Sequence, residues 1–244
     1  MTFCSSIKLL ALPSLAVVCS KLAMETSKPV ENNYLKVPFP TSTLPLMGHL
    51  SNWFTYPEKE WTGPFTFVQG TDPQLGLIEK YIVKKENPRW DAEIFLVNNF
   101  IEKVNALTPL PRFVVITGDM LDTDPTSPDR MKEHKEQYTD FASCFRKLNP
   151  QIGLVCVPGN HDVGDYPTKD TIDLYRQEFG PDFFTFWVGG VQFSVLNTQY
   201  YKIKADKEHE DIKDCMERHQ QFVNGLKYYT APVHSGNRSK LFLF

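Results

Sequence analysis

Three turns carry the residues that could do chemistry: Asp72 in T-D-P-Q, Asp119 in G-D-M-L-D, and Asn160 in G-N-H-D, where His161 and Asp162 follow. Each turn comes directly after a short apolar run: FTFVQ from Phe65, FVVIT from Phe113, and LVCV from Leu154. Carboxylate and amide oxygens are hard donors, suited to Mg²⁺, Mn²⁺ or iron. An aspartate placed between two such cations can bridge them. A two-cation site clamps the attacking and leaving oxygens of a phosphoryl displacement and supplies hydroxide at neutral pH. A plainer reading has Asp72 and Asp119 capping the helices that follow, as Asp often does. That reading suits either residue alone better than three such endings in register.

The elements between the turns must bring them together. From Trp90 to Leu107, the residues Ile94, Val97, Ile101, Val104 and Leu107 recur at spacings of three and four, which predicts an amphipathic helix ended by Pro109 and Pro111. A polar loop from Thr123 to Asp129 leads to a second helix, with Phe141, Phe145 and Leu148 on one face. Pro158-Gly159 ends the LVCV run sharply, since proline cannot donate to a ladder and glycine tolerates a strained turn. The order strand, helix, strand, helix, strand predicts a parallel sheet, with Asp72, Asp119 and Asn160 at its carboxyl rim. A helix over 168–179 follows, with Thr168 as N-cap and Gly180 as stop. Phe184 to Val188 and Val191 to Val195 alternate about Gly189-Gly190, the pattern of a tight hairpin. A last helix is predicted over 208–226, and residues 227–244 show no usable period.

The set of motifs resembles the calcineurin-like metallophosphoesterases, whose pattern runs D-x-H, G-D, G-N-H-[DE], a lone His and then G-H-x-H. The likeness rests on WTGPFTFVQGTDPQLGL, FVVITGDML, VPGNHDVGDYPT and FFTFWVGGVQFSVLNTQYY, and it covers residues 61–226. The nearer likeness is to the protein serine/threonine phosphatases of that superfamily. The resemblance implies an α/β sandwich with a mixed β-sheet and outer helices. It implies two divalent cations (Mn, Fe, Mg or Zn), with Asp72 on one, Asp119 bridging both and Asn160 on the second. His161 would stabilise the phosphate oxygens or protonate the leaving group, and Asp122 would orient His161. Asp162 would orient the turn. The implied reaction is hydrolysis of phosphomonoesters in a phosphoprotein by direct attack of metal-bound hydroxide.

Two departures stand out. Gln74 occupies the place of a metal-binding His, and an amide oxygen is the weaker donor. After the hairpin the chain has only His209, His219 and His234, none of them in G-H-x-H. His209 and His219 sit among charged residues and read as a solvated helix face. The expectation is therefore a domain lacking its last strands, with an unpaired sheet edge. Two other functions stay open: a catalytically impaired, truncated isoform that binds a phosphoprotein or partner, and a phosphodiesterase on the same fold.

Composition sets outer bounds. The chain has 244 residues, of which 41% are apolar, enough for one domain with a substantial core. A formal charge of −3 gives no basic surplus that would argue for nucleic acid or an acidic membrane. Five cysteines, odd in number and widely spaced, are no disulfide framework and point to a reducing, cytoplasmic setting. Residues 1–60 read as leader and linker, punctuated by prolines and poorly ordered. Leu9 to Val18 has the length of a signal-peptide core. Its weakly charged flank, Pro13 and the want of an A-x-A site argue against one. No apolar run reaches the roughly 20 residues that span a bilayer.

Overall fold

The computed structural model describes residues 8–12, 15–22, 58–202, 207–230 and 241–244. A five-stranded sheet runs in the order β1 (Lys8–Leu12), β2 (Leu15–Leu22), β3 (Phe65–Gly70), β4 (Phe113–Thr117) and β5 (Gly153–Val157). β3, β4 and β5 are parallel, with Val68 opposite Val114 and Ile116 opposite Cys156. The three polar turns therefore leave the sheet at one rim. Between these strands the chain passes through α1 (Asp91–Asn105) and α2 (Met131–Phe145), the crossovers that parallel pairing requires. The Trp90 indole N–H donates to Asp140 Oδ2 at 2.8 Å and ties the start of α1 to α2.

Alternation along β4 sets the layers. Val114 and Ile116 join Val97, Ile101, Phe141 and Phe145 in a core shared with the helices, whereas Phe113 and Val115 face a second core with Phe67 and Val155. That second core is closed by a three-stranded sheet of β6 (Phe184–Val188), β7 (Val191–Val195) and β8 (Leu241–Leu243). Phe113 stacks on Phe67 with ring centroids 4.9 Å apart and meets Phe193 edge-on at 5.0 Å. Such pairs contribute about 0.5–1.5 kcal/mol each beyond burial. The hairpin turn falls at Gly189 and Gly190, at φ 53° and 80°, where a side chain would be strained. The sequence-predicted sandwich of sheets and outer helices is the observed one.

Three short-range features complete the frame. α3 (Asn160–Val163) is a single turn after β5, and α4 (Lys169–Glu178) follows it. Thr168 caps α4, its Oγ1 accepting the Thr171 N–H at 3.3 Å. The helix predicted from 208 begins instead as 3₁₀ turns over Lys207–Ile212 and continues as α5 (Lys213–Thr230).

Two stretches outside the sequence-predicted elements form strands. Part of the expected leader forms β1 and β2, which pair antiparallel with each other and, through β2, with β3; residues 23–57 lie outside the described ones. The unpatterned tail supplies β8, which pairs parallel with β7 from Gln192↔Leu241 to Ser194↔Leu243. β8 thus covers one edge of β7. Among the described residues no helix is long and apolar enough to cross a membrane.

Candidate functional site

The turns after β3, β4 and β5 meet in a cleft of about 270 Å³ lined by Asp72, Asp119 and Asn160, and also by Leu196, Gln199 and Phe244 from later in the chain. Backbone contacts lock the turns together. The N–H of Asp72 donates to the Gly118 carbonyl at 3.3 Å, that of Gln74 to the Asp119 carbonyl at 2.9 Å, and that of Asp122 to the Leu75 carbonyl at 3.0 Å. Asp72 and Asp119 both adopt φ 51°, a left-handed conformation uncommon for a non-glycine residue and typical of constrained sites. A Cβ at Gly159 would lie 2.2 Å from Asp119 Oδ1 and 2.6 Å from its N, so only glycine permits this approach.

Asp162 is the keystone of the arrangement. Its buried carboxylate accepts the N–H groups of Asp119 at 2.7 Å, Met120 at 2.9 Å and Gly159 at 2.8 Å, which is the turn-orienting role expected of it. Burial is the largest influence on this group. With the neighbouring Asp119 charge it pushes the Asp162 carboxyl up to about 7, against the lowering by its N–H donors. Burial foremost also raises the Asp119 carboxyl above its ordinary value. The adjacent Asp72 adds to that rise, while the His161 N–H, 3.1 Å from Oδ1, opposes it.

His161 and Asp122 are brought together, but not as expected. His161 Nδ1 donates to the main-chain carbonyl of Asp122 at 2.8 Å. The Asp122 carboxylate points elsewhere, to Arg130 Nη2 at 3.1 Å and toward Lys80 Nζ at 3.8 Å. The carboxylate–imidazole pair implied by the resemblance is replaced by a carbonyl–imidazole pair. Neither His161 nor Asp122 is among the residues lining the cleft, and Gln74 is not either. Gln74 contributes a backbone bond rather than a ligand atom.

The donor set fits a hard cation. Burial and the neighbouring Asp72 charge raise the Asp119 carboxyl, and a cation beside it and the Asn160 amide oxygen would relieve that. The set for two cations is not assembled, because among the described residues no group of three or more His, Cys, Asp or Glu side chains could hold a metal. The later histidines do not supply it. His219 is buried at 1% exposure, packed between Phe183 and Tyr200 at 5.1 Å from each, which corrects its reading as a solvated residue. The side chains of His209 and His234 lie outside the described residues.

Sequence reasoning missed several supporting groups. Glu93 on α1 accepts the N–H groups of Gly76 at 3.2 Å and Ile78 at 2.6 Å and anchors the loop after Gln74. Arg130 holds Asp122, and Phe244 walls the cleft. Nothing in the spacing of the sequence marks Glu93 or Arg130 apart from ordinary helix-surface charges.

The mixed α/β sandwich, with Asp72, Asp119 and Asn160 at the carboxyl ends of parallel strands, is consistent with a metallophosphoesterase fold. No protein-family model matches the chain. Curated relatives do match. The chain is 42% identical over 147 residues to the serine/threonine-protein phosphatase CPPED1 of Danio rerio, covering 59% of this chain and 46% of that protein. It is 40% identical over 148 residues to the Homo sapiens CPPED1, with the same coverage of 59% and 46%. It is also 33% identical over 82 residues to the uncharacterized metallophosphoesterase YkuE of Bacillus subtilis, covering 34% of this chain and 24% of that protein. These relatives bear out the resemblance read from the motifs. The matched part of the chain spans about half the length of the CPPED1 relatives.

Proposed function

We propose that this chain is a metal-dependent protein serine/threonine phosphatase that hydrolyses phosphomonoesters of a phosphoprotein. The observation that carries the reading is the convergence of Asp72, Asp119 and Asn160 on one cleft, with His161 held against Asp119. Asp72, Asp119 and Asn160 would hold a divalent cation. Such a cation supplies Lewis-acid polarisation of a phosphoryl oxygen and a more acidic water. Asp119 presents its carboxylate, and Asp162 and Gly159 fix where it points. His161 offers its ring to the phosphate oxygens or the leaving group. The names of the CPPED1 relatives support serine/threonine specificity. The free, buried Cys144, Cys156 and Cys215 support a reducing compartment.

A second reading is favoured by one observation, the want of a third His, Cys, Asp or Glu donor among the described residues. On that reading the chain binds a phosphoprotein without turnover. Mn²⁺ calorimetry and hydrolysis of a phosphoserine or phosphothreonine peptide, in wild type, Asp119→Asn and Asp72→Asn, separate the two. The phosphatase reading expects Mn²⁺-dependent turnover that both variants lower, with Asp119→Asn, the more buried carboxylate, losing more Mn²⁺ affinity. Peptide binding without turnover establishes the second reading. Turnover that ignores Mn²⁺ sinks the metal site.

A further inference from the structure

The main-chain carbonyl that accepts the His161 Nδ1 hydrogen bond belongs to a loop clamped from several directions. Arg130 Nη2 reaches both Asp122 Oδ2 at 3.1 Å and Thr123 Oγ1 at 3.2 Å. The same guanidinium is aligned by Glu133, at 3.0 Å from Nε and 3.0 Å from Nη2. Gln137 Oε1 accepts the Thr123 N–H at 3.0 Å, and the Asp122 N–H is tied to Leu75. With both amides of this dipeptide and Asp122 Oδ2 committed, the Asp122 carbonyl is held in one direction, 2.8 Å from His161 Nδ1.

A carbonyl only accepts, so Nδ1 must carry the proton whatever the charge of the ring. The ring is thereby fixed in one tautomer, with Nε2 the nitrogen left to exchange a proton. No described residue bonds Nε2. A carboxylate partner would impose the same tautomer but would do so from the Asp122 side chain, which here faces Arg130.

We infer that Arg130 is a positioning residue: by clamping Asp122 it aims the main-chain carbonyl that holds His161 in its Nδ1–H tautomer. Its consequence for turnover rests on the phosphatase reading; the tautomer itself does not. Arg130 touches neither His161 nor the cleft lining, so its effect travels through the Asp122–Thr123 backbone. The planar fork matters, since one guanidinium bridges Asp122, Thr123 and Glu133 at once, a geometry that an ammonium cannot copy.

The test is long-range ¹H–¹⁵N correlation of the His161 ring in the full-length labelled chain, in wild type, Arg130→Gln, Arg130→Lys and Asp122→Asn. The wild type should show Nδ1–H. Asp122→Asn should keep it, because the acceptor is main chain and the asparagine oxygen still faces Arg130. Arg130→Gln should shift the ring by about tenfold or more toward Nε2–H, the ordinary tautomer in water, and Arg130→Lys should recover part of the loss. A folded Arg130→Gln with an unchanged ring signature overturns the inference; so does loss of Nδ1–H in Asp122→Asn with Arg130 intact. If Arg130→Gln does not fold, Arg130→Lys carries the test alone, and an unshifted ring there counts against the proposal. In a turnover assay Arg130→Gln and, less, Arg130→Lys should lower kcat with KM unchanged, by a fraction of the about 10²–10⁴-fold that a general acid contributes, while Asp122→Asn keeps it. Correct tautomers in a chain that never turns over would sink the phosphatase reading and leave this one standing.

Discussion

At the scale of the residue, Gly159 decides whether the candidate site exists. It lets the β5 turn press against Asp119 so closely that a methyl group would overlap the carboxylate, at 2.2 Å from Oδ1. Gly159→Ala must therefore push Asp119 out of register with Asn160 or break the Asp162 bonds to the same turn. Overpacking of this kind costs about 1–3 kcal/mol. The expected result is a lower urea midpoint and, on the phosphatase reading, loss of measurable Mn²⁺ binding. A variant that keeps wild-type Mn²⁺ affinity would show that the Gly159 contact does not set the Asp119 donor. The glycines and acids of these turns were legible because their side chains, or the lack of one, are the chemistry. The part played by Asp122 was not. It acts on His161 through a carbonyl that every residue possesses, and its carboxylate is diverted by Arg130, whose partnership no sequence spacing announces.

At the scale of the element, α2 and α4 are joined by a buried polar tie with a pH signature. His134 Nε2 lies 2.9 Å from Glu178 Oε2, and Nδ1 faces the Thr123 carbonyl at 3.4 Å. Burial is the largest influence on His134 and lowers its pKa; the bond to Glu178, its charge and the Thr123 carbonyl together outweigh it, so the net direction is upward. A histidine whose folded value is raised stabilises the fold fully below its unfolded value, and that contribution fades as pH rises through the folded one. His219 works in the opposite sense. Burial lowers its pKa, so its contribution is lost as pH falls below the unfolded value. The two windows meet near the ordinary histidine value of about 6.5 without overlapping. Urea midpoints between pH 6.5 and 8.5 should fall more steeply in the wild type than in His134→Gln, in which Asp162, pushed up to about 7, still contributes a decline; parallel curves would remove the tie. Helix periodicity made α1 and α2 legible, since Val97, Ile101 and Val104 are buried as their spacing requires. The same spacing places Cys215, His219, Phe222 and Leu226 on one buried face of α5, a pattern hidden by the charged residues between them. β8 was illegible because three residues show no period, and β1 and β2 because Pro13 interrupts a run that reads as a leader.

At the scale of the whole molecule, the cleft and the second core share Val157 and Phe244. Phe244 lines the cleft, while its ring stacks on Phe193 at 5.9 Å and 5° and meets Phe67 edge-on at 5.9 Å. Its N–H donates to the Ser194 carbonyl at 2.9 Å, and its own carbonyl accepts the Leu196 N–H at 3.0 Å. The strand that covers the β7 edge is thus continuous with a wall of the site, and what destabilises one should open the other. Phe244→Ala removes two aromatic contacts and part of the apolar wall but keeps the backbone ladder; a loss of about 1–3 kcal/mol follows from the pair energies and the partial burial. Removing residues 241–244 also strips the ladder and bares a strand edge, so it should lower stability further and promote concentration-dependent association. On the phosphatase reading, Phe244→Ala should raise KM for a phosphopeptide with little change in kcat, because a wall contributes to binding the substrate and the transition state alike. Urea denaturation, light scattering and peptide kinetics on the two variants check the three effects. Equal stability of wild type and the 241–244 deletion would mean that β8 does not hold the β7 edge. A change in KM with no loss of stability would assign Phe244 to the cleft alone and uncouple it from the core.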